Sequence, residues 1–119
     1  DSTLILLALS GSRWISIAKE LGLKVAQEVF ADRAINSDGT LVSRSLKGAV
    51  IHDPDVLAER TVKMIKQRYI TSITGEDIEV EADSICMHGD NPSAVQIAEE
   101  VKLALKSAGI KIAPLSELV

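Results

Sequence analysis

Short, uninterrupted apolar runs alternate with segments of helical period along this 119-residue chain, and that alternation leaves few folds open. Residues 4–9 are wholly apolar, the pattern of a strand covered on both faces. They stop at Ser10-Gly11-Ser12, where Ser12 can cap a helix over about residues 13–21 and Gly22 can close it in a left-handed conformation. "KVAQEVFAD" follows as a second strand, rich in β-branched and aromatic residues. A second helix starts at Asp53 as N-cap with Pro54 in its first turn, and Leu57, Thr61, Met64 and Ile65 form its buried stripe. "SITGEDIEVE" reads as a hairpin reversing at Thr74-Gly75-Glu76-Asp77, with Ile78 and Val80 on one face. "SICM" is a third buried strand, and Asn91-Pro92 opens a helix whose face is Ala94, Ala98, Val101, Leu105 and Ala108. That helix ends at Gly109, and "IKIA" reads as a short last strand before Pro114.

Apolar strands interleaved with amphipathic helices require a parallel sheet with right-handed crossovers. The fold class is therefore α/β. Four parallel strands without terminal caps leave two sheet edges open, as in an arc of a (β/α) barrel or in a small open doubly wound sheet. Residues 32–52 are unusually long for a βα connection, and Asn36-Ser37-Asp38-Gly39 inside them is a turn signal. A hairpin-like loop with its own structure is the expectation there. Repeats, low-complexity tracts and linkers are absent, so residues 1–119 read as one unit.

A net charge of −4, with basic residues scattered among acids, is the wrong footprint for nucleic acid. The first apolar run is too short to span a bilayer and has no basic segment before it, so no membrane is expected and the chain reads as cytoplasmic. Cys86 is the only cysteine, which rules out an intrachain disulfide and fits a reducing compartment. The chain has no initiator Met and begins almost directly in an apolar run, as a piece of something longer would.

Ligands of parallel α/β folds bind beyond the carboxyl ends of the strands. Ser10 and Ser12 follow the first strand; Glu28, Asp32 and Arg33 lie at the end of the second; Arg44, His52 and Asp53 come later in the long connection. His88, Asp90 and Asn91 follow the third core strand. His88 can shuttle a proton or bind a metal there, or it can hydrogen-bond its own loop. Asp90 reads as a ligand for metal or substrate, or as part of the helix cap that Asn91 supplies. Asp32 beside Arg33 offers proton transfer and carboxylate binding, or a salt bridge bracing the loop, and Arg44 carries the same two readings. Glu28 sits inside an apolar strand, where a buried carboxylate needs a partner. His52 reads as the approach to a helix, and Cys86 as core. Dinucleotide, P-loop, HExxH and GxSxG motifs are absent.

"EVFADRAINSDGTLVSRSLKGAVIHDP" and "ICMHGDNPSAV" together resemble the LamB/YcsF family, and the resemblance runs from about the first strand to the last. It implies parallel β/α units forming part of a (β/α) barrel, here the C-terminal half of one. It also implies participation in opening the lactam of 5-oxoproline to L-glutamate, with ATP as co-substrate and 5-oxoprolinase subunits B and C as partners. On that resemblance the pocket residues are His88, Asp32 and Asp90 for catalysis and Arg33, Arg44 and Glu28 for substrate, with a divalent metal left open. Ile35 and Lys47 depart from residues common in the family, Tyr and Pro, and both lie in the long loop. A half barrel would expose a sheet edge and part of its core, so the N-terminal half of the same barrel or self-association is expected to cover it. Two other readings stand beside this one: a non-catalytic module that binds substrate or docks on other subunits, and a metal-dependent deacetylase-like amide hydrolase.

Overall fold

The computed structural model describes residues 1–119. The first strand, β1 (Ile5–Leu9), is followed by α1 (Arg13–Glu20), β2 (Lys24–Phe30), α2 (Pro54–Gln67), β3 (Tyr69–Thr71), β4 (Asp77–Glu79), β5 (Ser84–Cys86) and α3 (Ala94–Ser107). A turn of 3-10 helix, Leu115–Glu117, ends the chain. β1, β2 and β5 form a parallel sheet with β2 in the centre, in which Leu9 pairs with Glu28 and Phe30 with Cys86. β3 and β4 form a separate antiparallel pair that reverses through Gly75 at φ 95°.

Local chemistry places the helix ends. Gly22, at φ 71°, lets the Leu23 N–H reach Ala18 O (2.9 Å), and Gly109, at φ 76°, lets the Ile110 N–H reach Leu105 O (2.9 Å). Both are Schellman closures that satisfy a last-turn carbonyl. Asp53 caps α2 by accepting from the Asp55 and Val56 N–H groups at 3.0 and 3.4 Å, with Pro54 at the first helical position. Asp53→Ala should therefore lower the unfolding free energy by about 1 kcal/mol, read as a shift in urea midpoint at constant slope.

Two apolar clusters hold the layers together. Val29, Ile35, Met64, Ile70 and Val80 join β2 to the long loop, α2 and the β3–β4 pair. Leu57, Ile97, Val101 and Leu105 join α2 to α3, and Ile85 of β5 packs against both clusters. No helix is long and apolar enough to cross a membrane.

Four expectations change. Residues 110–113 form no strand: Ile110 is drawn onto the α2–α3 cluster by the helix closure, and an alternating pattern becomes a strand only when a neighbour pairs with it. The sheet thus has three parallel strands, not four. The buried stripe of α3 is Ile97, Val101 and Leu105, and Ala94 and Ala98 lie at its margin; the branched side chains reach α2 where alanines fall short. β1 is not covered on both faces, since Leu7 remains 42% exposed. Ser12 occupies the α1 N-cap position without a side-chain cap bond, and its Oγ is buried without a partner.

Candidate active site

β2 leaves the sheet after Phe30, and four carbonyls at that exit are satisfied from outside the strand. Arg60 of α2 donates from Nη1 to Phe30 O (2.7 Å) and Ala31 O (2.6 Å), and from Nη2 to Arg33 O (2.6 Å). The Ile51 N–H donates to Asp32 O at 2.9 Å. Burial lowers the Arg60 guanidinium to about 10, partly opposed by the negative charge of Asp32, so it stays a cation at neutral pH. Its role had no signature in the sequence, because an arginine on a helix is ordinarily a solvated group.

The long loop is the hairpin-like element its turn signal indicated. Arg33 bridges Val50 and Ile35 bridges Leu41, both antiparallel, and Gly39 turns the tip at φ 86°. Ala34, Val42 and Ala49 form a small core of its own. This anchoring is why Arg33, only 7% exposed, projects from a rigid base.

Asp32 and His88 meet across the carboxyl ends of β2 and β5. The His88 backbone N–H donates to Asp32 Oδ2 (3.1 Å), and His88 Nδ1 lies 2.8 Å from Oδ1. Asp32 is 1% exposed, and its oxygens serve as acceptors, so the ring hydrogen sits on Nδ1 and the Nε2 lone pair is left free. The imidazole also stacks on Phe30, with centroids 5.4 Å apart at 21°. One carboxylate, bonded to both the ring and the backbone of His88, and one aromatic face hold this ring in place.

Asp32, Arg33, Arg44, His88 and Asp90 line a single cavity of about 180 Å³. Arg33 donates from Nη2 to Val42 O (2.8 Å), whereas its Nε is buried with no partner and no carboxylate pairs with it. Asp32 and Arg33 therefore do not form the bracing salt bridge that adjacency allowed. A buried guanidinium without a counter-ion is costly to leave unpaired, and its planar fork matches an anion such as a carboxylate. Arg44 instead pairs with Asp90 at 3.3 Å at the cavity mouth, where both side chains are more than half exposed. Such a pair is worth only about 0–1 kcal/mol, little enough for an anionic ligand to displace.

Glu28 is the predicted residue that the structure does not bring into this cavity. It lies in β2 near Cys86, where burial first, then the Glu28 charge and hydrogen bond, push the thiol up to about 11. Cys86 is thus a protonated, unreactive thiol at neutral pH. Ser10 is likewise structural, its Oγ bonding Gln27 Oε1 (3.2 Å) and accepting from the Glu81 N–H (2.8 Å). His52 and Asn91, read from sequence as helix-approach and cap residues, both line the cavity. Their chemistry-bearing residue types were the available signal. No group of three or more His, Cys, Asp or Glu side chains is arranged to hold a metal ion, so the donor set of this chain does not by itself fit one.

Parallel β/α units whose polar side chains gather beyond the strands' carboxyl ends define this as an arc of a (β/α) barrel. The chain belongs to the LamB/YcsF family, whose model matches residues 1–119. It is 54% identical over all 119 residues to the A subunit of a 5-oxoprolinase from Thermococcus onnurineus, of which it covers 47%. It is 51% identical over 115 residues to the corresponding 5-oxoprolinase chain of Clostridium beijerinckii, a match spanning 97% of this chain and 45% of that one. A lactam utilization protein from Thermus thermophilus superposes with a TM-score of 0.85 at 34% identity, over 94% of this chain and 44% of its own. The chain thus spans about half the length of the curated relatives it matches.

Proposed function

We propose that this chain is the C-terminal half of a lactam-hydrolysing barrel, the A subunit of a 5-oxoprolinase that opens 5-oxoproline to L-glutamate. The observation that carries the reading is the Asp32–His88 pair facing a cavity that also holds a buried, counter-ion-free Arg33. One end of that cavity suits a carboxylate, and the other suits proton transfer.

Arg33, joined by Arg44 when it leaves Asp90, holds the substrate carboxylate. Nε2 of His88 takes the proton from the attacking water, and Asp32 keeps Nδ1 protonated and the ring aimed. Asp90, at the mouth, serves as the resting partner of Arg44 and as a second carboxylate within reach of the site. ATP as co-substrate would supply activation by transferring a phosphoryl group to the carbonyl oxygen of this otherwise poor electrophile, with release of ADP. When the water has added, the C–N bond breaks, the ring nitrogen takes the proton from His88 Nε2, and a second water releases the phosphate to leave L-glutamate. Subunits B and C complete the complex.

The other half of the barrel, or a second copy of the chain, covers what is open here. β1 and β5 each present one unpaired edge, and Leu7, Trp14 and Leu21 are 42, 69 and 70% exposed.

The test is ATP-coupled 5-oxoproline turnover by full-length protein, with and without candidate partner subunits. Turnover that requires the partners supports the reading, and ATP-independent action on unrelated amides overturns it. Arg33→Met should weaken 5-oxoproline about 10–100-fold, the worth of a charge-assisted hydrogen bond, as a rise in KM. An unchanged KM would remove Arg33 from the substrate site.

A further inference from the structure

We infer that His52 is a specificity-determining residue of this cavity: its Nε2 accepts a hydrogen bond from the ring N–H of the bound ligand. The site thereby selects a cyclic amide over a cyclic ester of the same shape. The inference rests on the lactam reading above and assigns the substrate group that reading leaves without a partner.

The hydrogen-bond network around Asn91 sets the argument. Asn91 is 6% exposed. Its Oδ1 accepts from the Ser93 N–H at 3.0 Å, and its Nδ2 donates to Ile51 O at 3.4 Å. Those two partners fix which end of the amide is oxygen. His52 Nδ1 lies 3.2 Å from that oxygen, so Nδ1 must carry the hydrogen and donate it. In the neutral form of the ring the lone pair is then on Nε2; the side chain is exposed, and no protein group bonds that atom. His52 has no capping duty to explain its place, because the α2 cap is Asp53.

The cavity therefore contains two imidazoles, each pinned through Nδ1 and each with a bare Nε2. His88 is held by a carboxylate and His52 by a neutral amide. They come from different elements, the end of the long loop and the turn after β5. 5-Oxoproline offers three polar groups. Its carboxylate matches Arg33, its carbonyl carbon is the target of the water that His88 activates, and its ring N–H needs an acceptor. A donor buried without one loses affinity, and a site that supplies the acceptor discriminates against an analogue lacking the donor. Two acceptors lining this cavity are left unused by that chemistry, His52 Nε2 and the Asp90 carboxylate once Arg44 leaves it. Asp90 carries the same charge as the substrate carboxylate, so the neutral imidazole is the acceptor that fits the ring N–H.

The experiment measures binding of 5-oxoproline and of its lactone analogue, 5-oxotetrahydrofuran-2-carboxylate, to full-length protein by calorimetry. Wild type should prefer the lactam. His52→Phe should weaken the lactam about 10–100-fold, leave the lactone unchanged and so abolish the preference. His52→Gln, whose Oε1 restores an acceptor near the position of Nε2, should recover part of it. Equal weakening of both ligands by His52→Phe, no weakening of either, or no preference in wild type would overturn the inference while leaving the lactam site standing. Wild-type protein that binds neither ligand overturns the functional reading, and this inference with it. Matching melting curves for the two variants and wild type establish that the comparison is between folded proteins.

Discussion

Asp32→Asn is expected to lower turnover of full-length protein about 10³–10⁴-fold while leaving the protein folded. An asparagine keeps the shape of the side chain but can present an N–H to His88 Nδ1, where the carboxylate accepts at 2.8 Å. The imidazole then carries its hydrogen on Nε2, the atom proposed to take the proton from water. His88→Ala should cost about as much, and the double variant no more than the worse single, because the two residues act as one unit. The loss should appear in kcat with little change in KM, since Arg33 still holds the carboxylate. Turnover of Asp32→Asn within a few-fold of wild type would show that His88 is not the base.

Arg60→Met should be the most destabilising single change outside the apolar core. Three carbonyls, Phe30 O, Ala31 O and Arg33 O, lose their donors at once, and a buried acceptor left unpaired costs about 1–3 kcal/mol. Set against a domain stability of roughly 5–15 kcal/mol, that brings the variant close to unfolding at 25 °C. Arg60→Lys should fare little better, because one ammonium cannot reproduce a planar fork over three oxygens. Urea unfolding of both variants is the measurement, and an Arg60→Met midpoint equal to wild type would refute the role. The same clamp sets the backbone that places Asp32 and Arg33, so partly folded Arg60→Lys should also be slow.

Much of the site could be read along the chain, and its division of labour could not. Asp32, Arg33, Arg44, His88 and Asp90 were legible because parallel α/β folds gather ligands beyond their strand ends, and all five line one cavity. Glu28 was legible as a carboxylate in an apolar strand, but it lies within β2 beside Cys86 and does not line that cavity. His52 and Asn91 looked like local helix-start residues because sequence neighbours supplied a sufficient explanation. Their second role depends on a contact between residues 39 positions apart. Arg60 was silent for the same reason, since its three acceptors lie 27 to 30 residues earlier.

The sequence by itself determined the elements up to α3 and their order: the apolar runs, the Asp53 cap, the glycine closures and the hairpin turn each act within a few residues. It also determined the family, through long motifs that no local rule explains. Only the tertiary structure decided which connections after the strands meet at the cavity, that Ile110 packs on the α2–α3 cluster instead of opening a strand, and that Asp32 serves His88 rather than Arg33. Those outcomes depend on burial and on hydrogen bonds between distant segments. A carboxylate takes the partner that desolvation and geometry leave it, and adjacency in the chain does not set that choice.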